Sequence, residues 1–305
     1  MKLTSRTRTA GDILFDIGNV VFMIGLMVVT LYPFANMLAV SLNDAMDASR
    51  GGIFLKPRVF TLYNYEYVLR EASIFHSLMI SVLRTVIGTA VAVFCSAMVA
   101  YTVSRPEYLL RKWVALAFIL TMYFNGGLIP TYLLHKELHL INSFWVYIIP
   151  GIVGAFNIII IRSFIEGIPD GINESAKIDG AGDFKIFMKI VLPLCTPVLA
   201  TVALFVAVWQ WNSWFDVFLY NSSNPKLSTL QYELMKILQT ANGSSTQATI
   251  GDVLGGNQRG VAANQVTPTS IRATMTIVAS LPIILVYPFL QKYFVKGMTL
   301  GGVKG

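Results

Sequence analysis

Charge is what this chain has least of: 13% of its 305 residues are Asp, Glu, Lys or Arg, against about 25% in an average soluble domain. With 55% apolar residues and a mean hydropathy of +0.62, that scarcity excludes an ordinary water-soluble enzyme. Cysteine is nearly absent. Cys95 and Cys195 both lie in or beside apolar runs, so they support neither a disulfide scaffold nor a thiolate metal site and read as small packing residues. Histidine is as sparse. His135 and His139 stand four apart, yet with no Glu beside the first and no third ligand they read as part of a solvated loop. No G-x-x-x-x-G-K-[ST] loop occurs, so nucleotide hydrolysis that drives this chain must come from a partner.

What the sequence does have is long apolar runs. Crossing a hydrocarbon layer of ~30 Å takes about 20 helical residues, and the candidates are 17–39, 75–103, 113–134, 144–165, 197–220 and 273–290. The first is too long for a signal-peptide core of ~7 to 15 residues and reads as an uncleaved span. Net charge is +7 with a pI near 9.4, which in a soluble chain would raise nucleic acid. Here the Lys and Arg residues sort by loop instead. With both termini in the cytoplasm, more than half of the 23 fall on the inner side, in fewer residues than the outer segments hold. That bias favours cytoplasmic termini and removes the reason to invoke nucleic acid.

The expected architecture is an all-α integral membrane protein with a cytoplasmic N-terminus (1–16), six transmembrane helices (17–290) and a cytoplasmic tail (291–305). Of the outer loops, 41–74 carries Pro57, Phe60, Tyr63, Tyr65 and Tyr67 and reads as a small folded cap. Loop 221–272 is polar, richest in Gly, Ser, Asn, Thr and Gln over 241–265. Arg84 falls inside a span. A basic residue within a span is a functional candidate by default, but Arg84 precedes Arg105 by about 31 Å of helix, which places it at the outer boundary and favours a snorkelling anchor over that alternative. Asp216 reads as interfacial.

The inner segment 166–192 carries the most information. Pro169 interrupts the preceding helix, Asp170 or Asn173 is placed to cap a short new one, and Gly180 suits a left-handed terminator. Asp183 is then placed to cap a second helix whose Phe184, Phe187, Met188 and Val191 recur at helical spacing. Glu174-Ser175-Ala176 followed by Asp179-Gly180-Ala181, with Phe187, Leu192-Pro193 and Pro197 behind, resembles the EAA loop of ABC importer permeases, with Ser175 at the usual middle Ala. The resemblance continues through Tyr32-Pro33 and Ser41, Ala100-Tyr101 with Ser104-Arg105, Ile129-Pro130, Trp211-Asn212 and the tail from Gln291 to Gly305. Together these are similar to the MalG-type subunit of the carbohydrate uptake branch, in particular the oligosaccharide permeases of Gram-positive type.

That resemblance implies the type I ABC importer (MetI-like) permease fold in a bacterial plasma membrane. It implies a second, MalF-type permease subunit, an ATPase dimer that holds the ATP and Mg while this chain binds no cofactor, and an extracellular sugar-binding lipoprotein. Glu174, Ser175, Ala176, Asp179, Gly180 and Ala181 would dock on the ATPase. Gly301, Gly302, Val303, Lys304 and Gly305 would reach between the ATPase subunits as a slim, flexible end. The chain itself would not be an enzyme. Trp209, Trp211, Asn212 and Trp214, about 18 to 26 Å along the helix from Pro197, are candidates for sugar contact, with an interfacial aromatic belt as the alternative. The competing class is a self-sufficient secondary transporter, which calls for intramembrane ion pairs and broken helices. The sequence gives no sign of either.

Overall fold

The computed structural model describes residues 10–70, 72–239 and 267–302. Its contacts divide the chain into two units, 1–70 with 237–278 and 71–236 with 279–305. Among the described residues the regular structure is helical, with one isolated antiparallel bridge between Asn43 and Phe60.

The first unit begins with α1 (Ala10–Ser41), an apolar helix that is exposed along most of its length. After it come α2 (Ala45–Ser49) and α3 (Tyr63–Arg70). Segment 41–70 is the folded cap that its aromatic residues suggest, but amides organise it. Asn43 Oδ1 accepts from the Arg58 and Val59 N–H groups at 2.7 and 2.9 Å, and its Nδ2 donates to Asp47 at 2.9 Å. Asn64, fully buried, donates to the carbonyls of Ser41 and Asn43. Asp44 caps α2 by accepting from Met46 and Asp47 N–H.

The second unit is built on α4 (Ala72–Ser104). Its buried positions include Ala92, Ser96 and Ala100, four residues apart and in line with Gly88. A stripe of small side chains at that spacing lets a second backbone come close without a hydrophobic drive from water. The neighbours are α7 (Ala155–Ile165), which buries Ile158, Ile161 and Ile165, and α11 (Thr196–Asn212), which buries Val198, Val202, Val206 and Gln210.

Three of the expected spans are broken. Run 113–134 divides into α5 (Arg111–Tyr123) and α6 (Leu128–Glu137), parted where Gly127 takes φ +85°. Run 144–165 starts as two 3-10 turns, Phe144–Tyr147 and Ile149–Gly151, which meet α7 at 46° across Gly154. Run 197–220 is interrupted at Ser213, with α12 (Phe215–Asn221) beyond it. Among the described residues, three helices are long and apolar enough to cross a membrane, and up to five segments are if each of two bent pairs counts as one. Counting hydropathy alone gave no weight to the Gly and Pro residues at the first two breaks (Gly126-Gly127; Pro150, Gly151 and Gly154), whereas the break at Ser213 has neither nearby.

Between α7 and α11 come α8 (Asp170–Ile178), α9 (Asp183–Ile186), a π-turn over Phe187–Val191 and α10 (Leu192–Leu194). The 183–194 stretch meets α11 at 81°, with Pro193 and Pro197 flanking the bend. A further helix, α13, covers 230–239. The last, α14 (Pro268–Gly302), contains Pro282 and Pro288 and runs past the expected end at 290. Residues 291–302 therefore continue α14 as helix, and Gly301 and Gly302, expected in a flexible end, close it; Gln291, Lys292, Lys296, Met298 and Leu300 are good helix formers. Val303, Lys304 and Gly305 lie outside the described residues, as does the polar stretch 241–265.

Candidate functional site

The chain leaves α7 at Glu166, and Pro169 occupies the cap position of α8; neither Asp170 nor Asn173 caps it, and Asn173 is buried instead. Asp170 stays in the first turn, where a negative charge suits the helix dipole. At the other end Gly180 has φ +75°, its N–H donates to the Lys177 carbonyl, and the Ala181 N–H donates to the Ala176 carbonyl, both at 3.0 Å. This is a Schellman closure, and it needs the left-handed residue that glycine supplies most readily. Gly182, not Asp183, takes the cap position of α9, and Asp183 sits in its first turn.

One face of α8 is fixed and the other is free. Ala176 packs into a buried cluster with Tyr101, Ile161, Ile165, Ile186, Phe187 and Val191. Phe187 touches the rings of Phe94 and Tyr101, at 6.0 and 5.3 Å between centroids. Lys177 Nζ donates to Glu107 at 2.7 Å, tying α8 to the turn after α4. The Lys177 ammonium holds the Glu107 carboxyl below its usual range, and the same contact raises the Lys177 pKa. On the outward side, Glu174, Ser175, Asp179 and Gly180 are exposed, and Ile178 is 85% exposed. Ile178 is thus an aliphatic side chain left open on a helix that is anchored from behind.

Nearer the middle of α4, around Arg84, lies a polar cluster. Arg84 is fully buried and all its N–H groups are engaged. Nε and Nη2 donate to Gln210 Oε1 at 3.1 and 3.0 Å, Nη1 to the Ser213 carbonyl and to Asp216 Oδ1 at 3.2 Å each, and Nη2 to Asp216 Oδ2 at 2.6 Å. The guanidinium lies over the Tyr147 ring, 4.5 Å from its centroid. Gln210 Nε2 donates to the Tyr147 carbonyl at 3.1 Å. Arg84 is thus no snorkelling anchor, and Asp216 is its partner in an ion pair. His135 departs from expectation too: it is buried, edge-on to Tyr220 at 4.9 Å.

Beside this cluster lies an open hollow of about 770 Å³, lined by Phe205, Trp209, Asn212, Trp214 and Ile283 among others. Trp209 and Asn212 are exposed. Trp211 leaves this group. Its side chain is buried and its indole N–H donates to the Ala279 carbonyl at 2.9 Å, which gives it a packing role on α14.

The family described as "Binding-protein-dependent transport system inner membrane component" matches residues 106–300, well over half of the chain. The chain belongs to this family. It is a membrane permease of the ABC importer type, built on the MetI-like helical fold. As a family member it resembles the polygalacturonan/rhamnogalacturonan transport system permease protein YtcP of Bacillus subtilis (strain 168), 38% identical over 96% of this chain and 99% of that protein. Protein LplC of the same organism is also 38% identical, over 99% and 98%. A crystal structure of a bacterial ABC transporter involved in the import of the acidic polysaccharide alginate has a chain that superposes with a TM-score of 0.83 at 27% identity, covering 95% of this chain and 100% of that one. A permease of this family is a channel component and not a catalyst.

The family assignment favours the importer over the secondary transporter, although the two signs said to mark the latter, an ion pair between spans and broken helices, are both present. Sequence reasoning missed Gln210, Asp216 and Tyr147 as partners of Arg84. The available signal was a basic and an acidic residue in two apolar runs, which is reason to test them as a pair.

Proposed function

We propose that this chain is one permease subunit of an ATP-driven importer of oligosaccharides, paired with a second permease and docked through α8 on a separate ATPase dimer. The observation that carries the coupling role is the construction of α8: closed by Gly180, held from behind by Ala176 and Lys177, and presenting Glu174, Ser175 and Ile178 outward. A helix held that way transmits a push as a unit. Closure of the ATPase subunits would move α8, and the 81° bend before α11 would pass that motion to the helix carrying Trp209 and Asn212.

Carbohydrate as cargo is supported by the polygalacturonan/rhamnogalacturonan named for YtcP, by the alginate named for the solved transporter, and by the hollow. Indole faces at Trp209 and Trp214 suit the C–H faces of sugar rings, and the Asn212 amide suits hydroxyls. An extracellular binding protein would deliver the sugar, and both termini would be cytoplasmic in a bacterial plasma membrane. The helical stretch ending at Gly302 would face the ATPase.

The test is reconstitution of the permease pair with its ATPase and binding protein in proteoliposomes. ATP-dependent uptake of oligogalacturonate or of a neutral oligosaccharide of equal length supports the reading and ranks the cargo. Uptake that proceeds without ATP on an ion gradient alone refutes it. Orientation is read separately. Ser175→Cys should resist an impermeant thiol reagent added to intact cells and react once the cells are opened.

A further inference from the structure

We infer that Arg84 is a positioning residue for the hollow: it fixes the break at Ser213, and through that break the placement of Trp209, Asn212 and Trp214. The inference rests on the reading of the hollow as the sugar pathway. The break is electrostatically built. The end of α11 presents carbonyl oxygens and partial negative charge, and Arg84 donates to the Ser213 carbonyl just beyond it. The start of α12 presents N–H groups and partial positive charge, and there Asp216 takes its place in the first turn, its Oδ1 accepting from the Val217 N–H at 2.9 Å. One guanidinium joins both ends, because Arg84 also holds Asp216 through two hydrogen bonds and Gln210, one turn before the break, through two more.

The geometry depends on a fork. Gln210, the Ser213 carbonyl and Asp216 lie on α11, at the break and on α12, and a planar guanidinium reaches all three at once. An ammonium at the same site carries the charge without that reach. The hollow residues are distributed over the same stretch: Trp209 precedes Gln210, Asn212 precedes Ser213, and Trp214 lies between Ser213 and Asp216. Loss of the fork would let α12 swing on Ser213, whose φ of −72° and ψ of 117° are extended, and would move the two indoles apart. Gly88 marks how closely the cluster is fitted, since a Cβ there would stand 2.5 Å from Gln210 Nε2.

The test uses the full importer in membranes and a probe that needs no knowledge of the cargo. Asn212→Cys, in a background with Cys95 and Cys195 replaced by Ala, is labelled with a water-soluble methanethiosulfonate ammonium reagent. Two companions are compared: Arg84→Lys, which keeps charge but loses the fork, and Arg84→Met with Asp216→Leu, which removes both charges while keeping bulk. Membrane levels are measured alongside, with Lys56→Cys, exposed in the 41–70 segment, as a remote control. The inference requires a several-fold change in labelling at position 212 in both companions, at normal levels and with unchanged labelling at 56. Unchanged labelling at position 212 overturns it. Loss of the protein from the membrane in both companions also overturns it, because the cluster would then be a folding element only. Protection of Asn212→Cys by oligogalacturonate reports on the hollow itself, so the pathway reading and the role of Arg84 fail separately.

Discussion

Two levels of α4 solve opposite problems. Near Tyr101 the helix supports α8, whose message is on the outside: an exposed isoleucine, an exposed carboxylate and a turn closed by one glycine. Near Arg84, about 25 Å away along the same helix, the message is inside, where one guanidinium saturated by three partners holds two helix ends at a break. The first is made of consecutive residues whose outward side chains are left exposed. The second gathers residues more than a hundred positions apart and leaves nothing free. A docking surface needs unmet partners, and an internal joint needs all of them met.

The comparison breaks most visibly at Arg84. Arg84→Ala leaves Asp216 without its cation beside an apolar core, and removing one member of a buried pair costs about 3 to 5 kcal/mol; unfolding in detergent should fall accordingly. The equivalent truncation on the outward face, Glu174→Ala, should leave stability unchanged. Gly88→Val comes next. Its side chain would displace Gln210 from Arg84 and Tyr147, an overpacking cost of about 1 to 3 kcal/mol, read by the same melt. Gly180→Val has open space around it but needs φ +75°, which costs a β-branched residue about 1 to 2 kcal/mol. Transport should fall while membrane insertion persists.

The smallest effect belongs to Glu107→Gln, since the Lys177 contact is exposed to water and salt. Its pH dependence is nevertheless signed. Glu107 has a lowered pKa in the folded chain, so its contribution is complete above the ordinary carboxylate range and fades as pH falls through that lowered value. Lys177 has a raised pKa, so its contribution is complete below its ordinary value and fades as pH rises through the raised one. A melt across pH should be flat between these limits for this pair, and Glu107→Gln should remove the acidic-side slope.

What the sequence revealed follows the same division. The α8 elbow was legible because a Schellman closure is a local event: Ala176 through Ala181 contain every group that takes part. The caps were read less well. Asp170 and Asp183 have the right chemistry for capping but stand one residue inside their helices, which spacing alone does not reveal. Arg84 was misread because helical rise gives depth along an axis and says nothing of which neighbour faces it. Gln210 is 126 positions away and Asp216 is 132. The same limit applies to Trp211, grouped by sequence with Trp209 and Trp214 but turned by helical geometry onto α14.

The central claim is that the free face of α8 meets an ATPase. A photoreactive benzoylphenylalanine in place of Ile178, whose side chain is 85% exposed, irradiated in the assembled importer, tests it directly. The account requires an adduct between this chain and the ATPase subunit, identified by mass spectrometry, that weakens when Gly180→Val is combined with it. Irradiation of a fully assembled, transport-competent complex that yields adducts with lipid or with the second permease, and none with the ATPase, would contradict it.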